Sequence, residues 1–153
     1  MKTGTDRIAM FERTVQETYE WLDEIQSEVE GGDTWPADAY DRPEALQALR
    51  GVLHALRDEL GVDQNANLAA QFPTLIRGIY FEGWSPPNEP IEHGTAQAFL
   101  SKIEDAFTGY EEDVDPEWIA PSVLAVLTRR MPDECAKIKK TLPKELRELW
   151  SRS

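Results

Sequence analysis

The feature that most constrains this chain is an internal repetition. VLHALRDEL at 52–60 returns as VLAVLTRRM at 123–131, and FPTLIRGIY at 72–80 returns as LPKELRELW at 142–150. The offsets are 71 and 70 residues, so order and spacing survive with one residue removed. A weaker match relates FERTVQETY at 11–19 to FLSKIEDAF at 99–107. The implied unit is a long helix, a V-L-x-x-L helix, a short helix and a P-x-x-I/L-R-x-I/L-Y/W helix. One such unit has too few residues to bury its own apolar faces, whereas two packed face to face share one core. The expectation is a single domain over 1–153 that unfolds as one cooperative unit. Its half-repeats lie at about 5–83 and 95–151, joined by a Pro-rich connector at 84–94.

Local patterning fills in the helices. Ile8, Phe11, Val15, Leu22, Ile25 and Val29 follow a 3-4 spacing, with Thr18 at the one missing step, and place one apolar stripe on a first helix. Gly31 and Gly32 stop it. Asp41, with Glu44 three residues on, reads as a capping box for a second helix that runs to Gly61. Its wide apolar face is Ala45, Leu46, Leu49, Val52, Leu53, Leu56 and Leu60. Asp63 is placed to cap a short third helix, and Pro73 suits the first turn of a fourth. Thr95 and Asp115-Pro116 read as helix starts, as do Pro132 and Pro143. Pro121 falls inside a helical pattern and predicts a kink or a delayed start. No segment alternates with period 2 and no Asn-Gly or Asp-Gly turn appears. The fold class is all-α, a compact bundle of about six to eight helices in two pseudo-repeated halves.

The central block AAQFPTLIRGIYFEGW at 69–84, with VLHALRDEL before it and LPKELRELW at the close, resembles the bacterial proteins grouped as domain of unknown function 2267. The resemblance extends from about Phe11 to Trp150. It implies a small helical bacterial protein with no assigned biochemical activity, and it brings no catalytic residues.

Charge and composition limit the partners. The net charge of −13 argues against a protein that coats nucleic acid, because phosphates must be met by positive surface. The charge is uneven: residues 1–127 carry 25 acidic and 8 basic residues, and residues 128–153 carry 4 and 8. The basic tail reads as packing on the chain's own acidic body, with docking of an acidic partner, or contact with nucleic acid or a membrane surface, as sharper alternatives. One cysteine, Cys135, rules out an intramolecular disulfide and suits a reducing cytoplasm. No window approaches the ~18 apolar residues of a membrane span.

Chemistry-bearing motifs are scarce. The two histidines, His54 and His93, follow Gly51 and Pro90 at the position where a di-iron bundle needs Glu, and Cys135 has no nearby His for zinc. No nucleophile elbow, P-loop or dinucleotide fingerprint occurs. No metal or cofactor is expected, and catalysis is disfavoured. Arg50, His54, Arg57 and Asp58 form an exposed or half-exposed ridge at helical spacing. Arg77 and Arg147 occupy equivalent places in the repeated motif, where a guanidinium can bind carbonyls at a neighbouring helix end. Tyr80, Phe81 and Trp84 run into SPPNEP, with Trp84 placed to stack on Pro86 or Pro87. The candidate binding residues are His54, Arg57, Arg77, Tyr80 and Trp84. The reading that follows is a non-enzymatic cytoplasmic helical protein acting through a protein partner or as a homo-oligomer. The alternative is a small-molecule binder or weak enzyme using a cleft between the halves.

Overall fold

A computed structural model describes residues 7–30, 42–89, 91–110 and 114–152. Among these residues the secondary structure is eight helices and no strand. They are α1 (Ala9–Glu30), α2 (Arg42–Arg57), α3 (Val62–Ala69), α4 (Thr74–Tyr80), α5 (Ala96–Asp105), α6 (Pro116–Arg130), α7 (Pro132–Thr141) and α8 (Lys144–Ser151). The expected stops at Gly31 and Gly32 and the Asp41 cap lie outside the described residues.

The predicted starts at Thr95 and Asp115 are made by side chains. Thr95 Oγ1 accepts from the Ala98 amide at 3.0 Å, and Asp115 Oδ1 accepts from the Glu117 amide at 3.0 Å. Each satisfies a donor that the first helical turn leaves orphaned. Pro132 is the first residue of α7, and Pro143 immediately precedes α8. Several boundaries differ from expectation: Asp63 lies inside α3 and does not cap it, and Pro73 precedes α4 instead of standing in its first turn. α2 ends at Arg57 rather than at Gly61, and Gly61 instead begins α3, its amide donating to Gln64 Oε1 at 3.1 Å. α6 runs from Pro116 straight through Pro121 with no delayed start.

α6 is the centre of the bundle. Nine consecutive residues, Ile119 to Leu127, are buried, so this helix is enclosed on every side rather than on one stripe. It packs against α1, α2, α5, α7 and α8. α2 lies between α1 and α5, and Gly51 sets its distance from α5. A Cβ at Gly51 would sit 3.0 Å from Ala106 Cβ and 3.3 Å from Ile103 Cα. Only the missing side chain permits that approach.

Contacts between distant segments interlock the bundle. Gln47 Nε2 donates to Ala106 O at 2.7 Å, Trp118 Nε1 to Val29 O at 3.1 Å, and Gln64 Nε2 to Thr141 Oγ1 at 2.9 Å. One apolar cluster draws residues from all eight helices. Part of the basic tail does pack on the acidic body. Arg129 and Arg130 both bond Glu24 (3.0 and 2.8 Å), Arg129 also reaches Glu28, and Arg130 lies over the Trp21 ring.

α1 departs from the expected single core stripe. Thr18, Leu22, Ile25 and Val29 are buried, joined by Trp21, but Ile8, Phe11 and Val15 are 57%, 55% and 42% exposed. The stripe is continuous in sequence. Among the described residues the body beneath it ends near Thr18, so the first turns of α1 leave their apolar face exposed.

Candidate functional site

The five residues singled out in the sequence are divided between four structural tasks. α4 has only seven residues, so most of its carbonyls have no partner within the helix. α2 supplies donors to its C-terminal end. His54 Nε2 lies 2.7 Å from Ile79 O, a contact that requires a proton on Nε2. Arg57 Nη1 donates to Tyr80 O at 3.0 Å and Glu82 O at 2.8 Å, and its Nε reaches Asp58 at 3.3 Å. A cation at a helix C-terminus also meets the negative end of the helix dipole. Arg57 is therefore buried, 8% exposed, and does not belong to the exposed ridge that its spacing predicts. Arg50 does reach the surface, pairing with Glu82 at 3.0 Å.

Arg77 closes the end of α3, donating from Nε to Ala69 O at 2.9 Å and from Nη2 to Ala70 O and Phe72 O. Arg147, its counterpart in the other motif, donates to Leu142 O just beyond α7. Both arginines thus bind carbonyls of the preceding segment. Tyr80 is fully buried. Its hydroxyl donates to Asn65 Oδ1, while Asn65 Nδ2 donates to Arg57 O and Leu60 O at 3.2 Å. Asn65 is thus the hinge pin between the end of α2 and α4. Burial away from water holds the Tyr80 phenol well above its ordinary titration range.

Trp84 packs on Phe81, with ring centroids 5.1 Å apart. It lines a shallow pocket of about 390 Å³ with Arg57, Asp58, Leu60, Pro87 and Ile91. Of the five candidates only Arg57 and Trp84 share that pocket, and His54, Arg77 and Tyr80 point elsewhere. Cys135 is buried, and that burial pushes its thiol up to about 11. Among the described residues, no group of three or more His, Cys, Asp or Glu could hold a metal ion. No described helix is long and apolar enough to cross a membrane.

The feature that sequence reasoning missed lies on α1. Ile8 just before the helix and Phe11, Val15 and Tyr19 on it follow 3-4-4 spacing along one exposed face, and Leu75 of α4 is 41% exposed. Thr14 Oγ1 accepts from the Leu75 amide at 2.8 Å, which fixes the first turn of α4 against α1. Between the two helices and α2 runs an apolar groove of about 390 Å³. Val15, Thr18, Tyr19, Leu22, Leu46, Arg50, Leu75 and Ile79 line it. The stripe at 8–15 was legible as apolar. Its exposure among the described residues was not.

A family model described as an uncharacterized conserved protein (DUF2267) matches residues 18–149. The matched segment starts at Thr18, where α1 first becomes buried. No curated protein matches the chain.

Proposed function

This chain belongs to the DUF2267 family, which supplies no activity to inherit, and we propose that it acts by non-enzymatic protein contact through the exposed face of α1. The observation that carries this reading is the contiguous apolar surface of Phe11, Val15, Tyr19 and Leu75 with the groove beside it. Contiguous exposed apolar patches on soluble proteins mark binding surfaces far more often than scattered single residues do. The groove is walled by packed helices, so an incoming apolar side chain meets a preformed recess with little ordering cost. The rest of the molecule serves as a rigid mount, built in this reading as two related halves of one domain. The shared carbonyl-binding role of Arg77 and Arg147 supports that relation. A reducing cytoplasm suits the lone, buried thiol.

A small-molecule site at the Trp84 pocket draws less support, because both hydrogen bonds of Arg57 Nη1 go to backbone carbonyls. Photo-crosslinking in the native cell tests the contact reading. A photoreactive phenylalanine at Val15 is expected to give discrete protein adducts, and one at Lys137 on α7 is expected to give none. No adduct from position 15 would overturn it.

A further inference from the structure

We infer that the recess between α1 and the turn leading into α4 is a binding site for an arginine side chain carried by a peptide. Glu17, Glu20, Glu24 and Glu28 follow 3-4-4 spacing, so they form one acidic row along α1, on the side away from the apolar stripe. The chain itself shows what meets this row. α6 packs along α1 from Trp118, beside Val29, to Arg130, beside Glu24, and there it ends. Its last two residues neutralise the lower half of the row. Arg129 and Arg130 both bond Glu24, and Arg129 Nη2 reaches Glu28 at 2.6 Å. Glu17 and Glu20 lie past the end of α6, and neither has a basic partner among the described residues. Glu20 accepts only a long bond from Gln16 at 3.4 Å. Like charges one turn apart on a helix repel, and a third guanidinium relieves that repulsion as the first two do further down.

The molecule leaves space at that point. A recess of about 380 Å³ is lined by Glu17 and Glu20, by Arg130 with its Nε held on Glu24, and by the buried Trp21, Phe72 and Met131. The apolar lining suits the methylenes of an arginine, and the two carboxylates suit its forked guanidinium. A lysine brings one point charge to the same pair. Trp21 supplies the reason for a peptide. It is 3% exposed, and its indole N–H has no hydrogen-bond partner among the described residues. A buried donor left without an acceptor is costly, and a peptide carbonyl entering beside the arginine provides that acceptor. The recess and the apolar groove are lined by different faces of α1, so the two sites stand or fall separately.

Titration of the isotope-labelled full chain with Nα-acetyl-arginine N-methylamide, followed by NMR, tests the site. The Trp21 indole N–H and the Gln71 side-chain amide, which also lines the recess, are expected to shift with a Kd of about 1 mM. The same capped compound built on citrulline keeps the shape and loses the charge, and is expected to bind about tenfold more weakly. The double variant Glu17→Gln, Glu20→Gln is expected to raise the Kd for the arginine compound about tenfold. It keeps the wild-type melting temperature, because neither carboxylate has an ion-pair partner to lose. No shift at Trp21 up to about 20 mM would overturn the site, as would equal affinity for the citrulline compound. Unchanged affinity in the double variant would overturn the part given to the two carboxylates. Free L-arginine binding more tightly than the capped compound would overturn the peptide source.

Discussion

Replacing Tyr80 by Phe removes one oxygen from the centre of the molecule, and its effect follows from the geometry. The lost bond is the one to Asn65 Oδ1, and Asn65 is 0% exposed. Its amide nitrogen stays committed to Arg57 O and Leu60 O, so the side chain cannot turn its oxygen elsewhere without breaking those bonds. The variant therefore leaves a buried acceptor with no donor, which costs about 1–3 kcal/mol. The ring itself remains, with its edge-on contacts to Phe72 and Phe81 at 5.2 and 5.1 Å, so no cavity adds to the loss. For a chain of this length that corresponds to a fall in melting midpoint of roughly 2–12 °C. Urea unfolding at pH 7 measures it, with Tyr110→Phe at the surface as a control expected within about 0.5 kcal/mol of wild type. The high pH limb gives a second reading. The folded state favours the neutral phenol, so its contribution is intact below the ordinary tyrosine value of 10.0 and is lost as pH rises above it. Tyr80→Phe is expected to lose less stability than wild type over that interval. A Phe variant as stable as wild type at pH 7 would refute the placement of the hydroxyl on Asn65.

Gly51→Leu is expected to destabilise by about 2–3 kcal/mol despite a gain of roughly 1 kcal/mol in helix propensity, because the new side chain meets Ala106 and Ile103; thermal unfolding checks it. Leu56→Ala, at a position 1% exposed, is expected to cost ~2–5 kcal/mol by the same measurement. Arg57→Leu strips donors from Tyr80 O and Glu82 O and is expected to cost about 2–4 kcal/mol, with the loss concentrated in faster hydrogen exchange through α4. Cys135 favours its neutral thiol on folding, so its contribution to stability should hold below about 9.0 and drain away as pH rises toward about 11; Cys135→Ala should remove that part of the alkaline loss.

The helical architecture was largely legible because its signals are local. Caps such as Thr95 and Asp115 act within one turn, and proline at a helix start excludes alternatives at once. The buried face of α2 could be read from spacing alone. What spacing cannot supply is the identity of the neighbour. Arg57 shares a helical ridge with Arg50, yet one is buried beneath α4 and the other reaches the surface, a difference decided by residues 80–82. Gly51 looks like an interruption in α2 until α5 is seen resting on it. Ile8, Phe11 and Val15 repeat the spacing of Leu22 and Val29, and only the extent of the body separates covered from uncovered. The candidate site fared worse for a related reason. Polar side chains at helical spacing mark contacts with equal force whether the partner is a ligand or a backbone carbonyl, and here His54, Arg57 and Arg77 all serve carbonyls.

The enclosure of α6 has a consequence for the order in which the chain can fold. The helix that packs against α1, α2, α5, α7 and α8 is the sixth of the described helices to leave the ribosome. At about 5–20 residues per second, roughly 4–15 s separate the completion of α2 from that of α6. During that interval the apolar faces of α1, α2 and α5 exist without the element that fills the space between them. A nascent chain stalled before Ile119 lacks the helix that covers those faces, and apolar surface left open in this way favours aggregation. Only when residues 119–130 emerge can those faces close on one another.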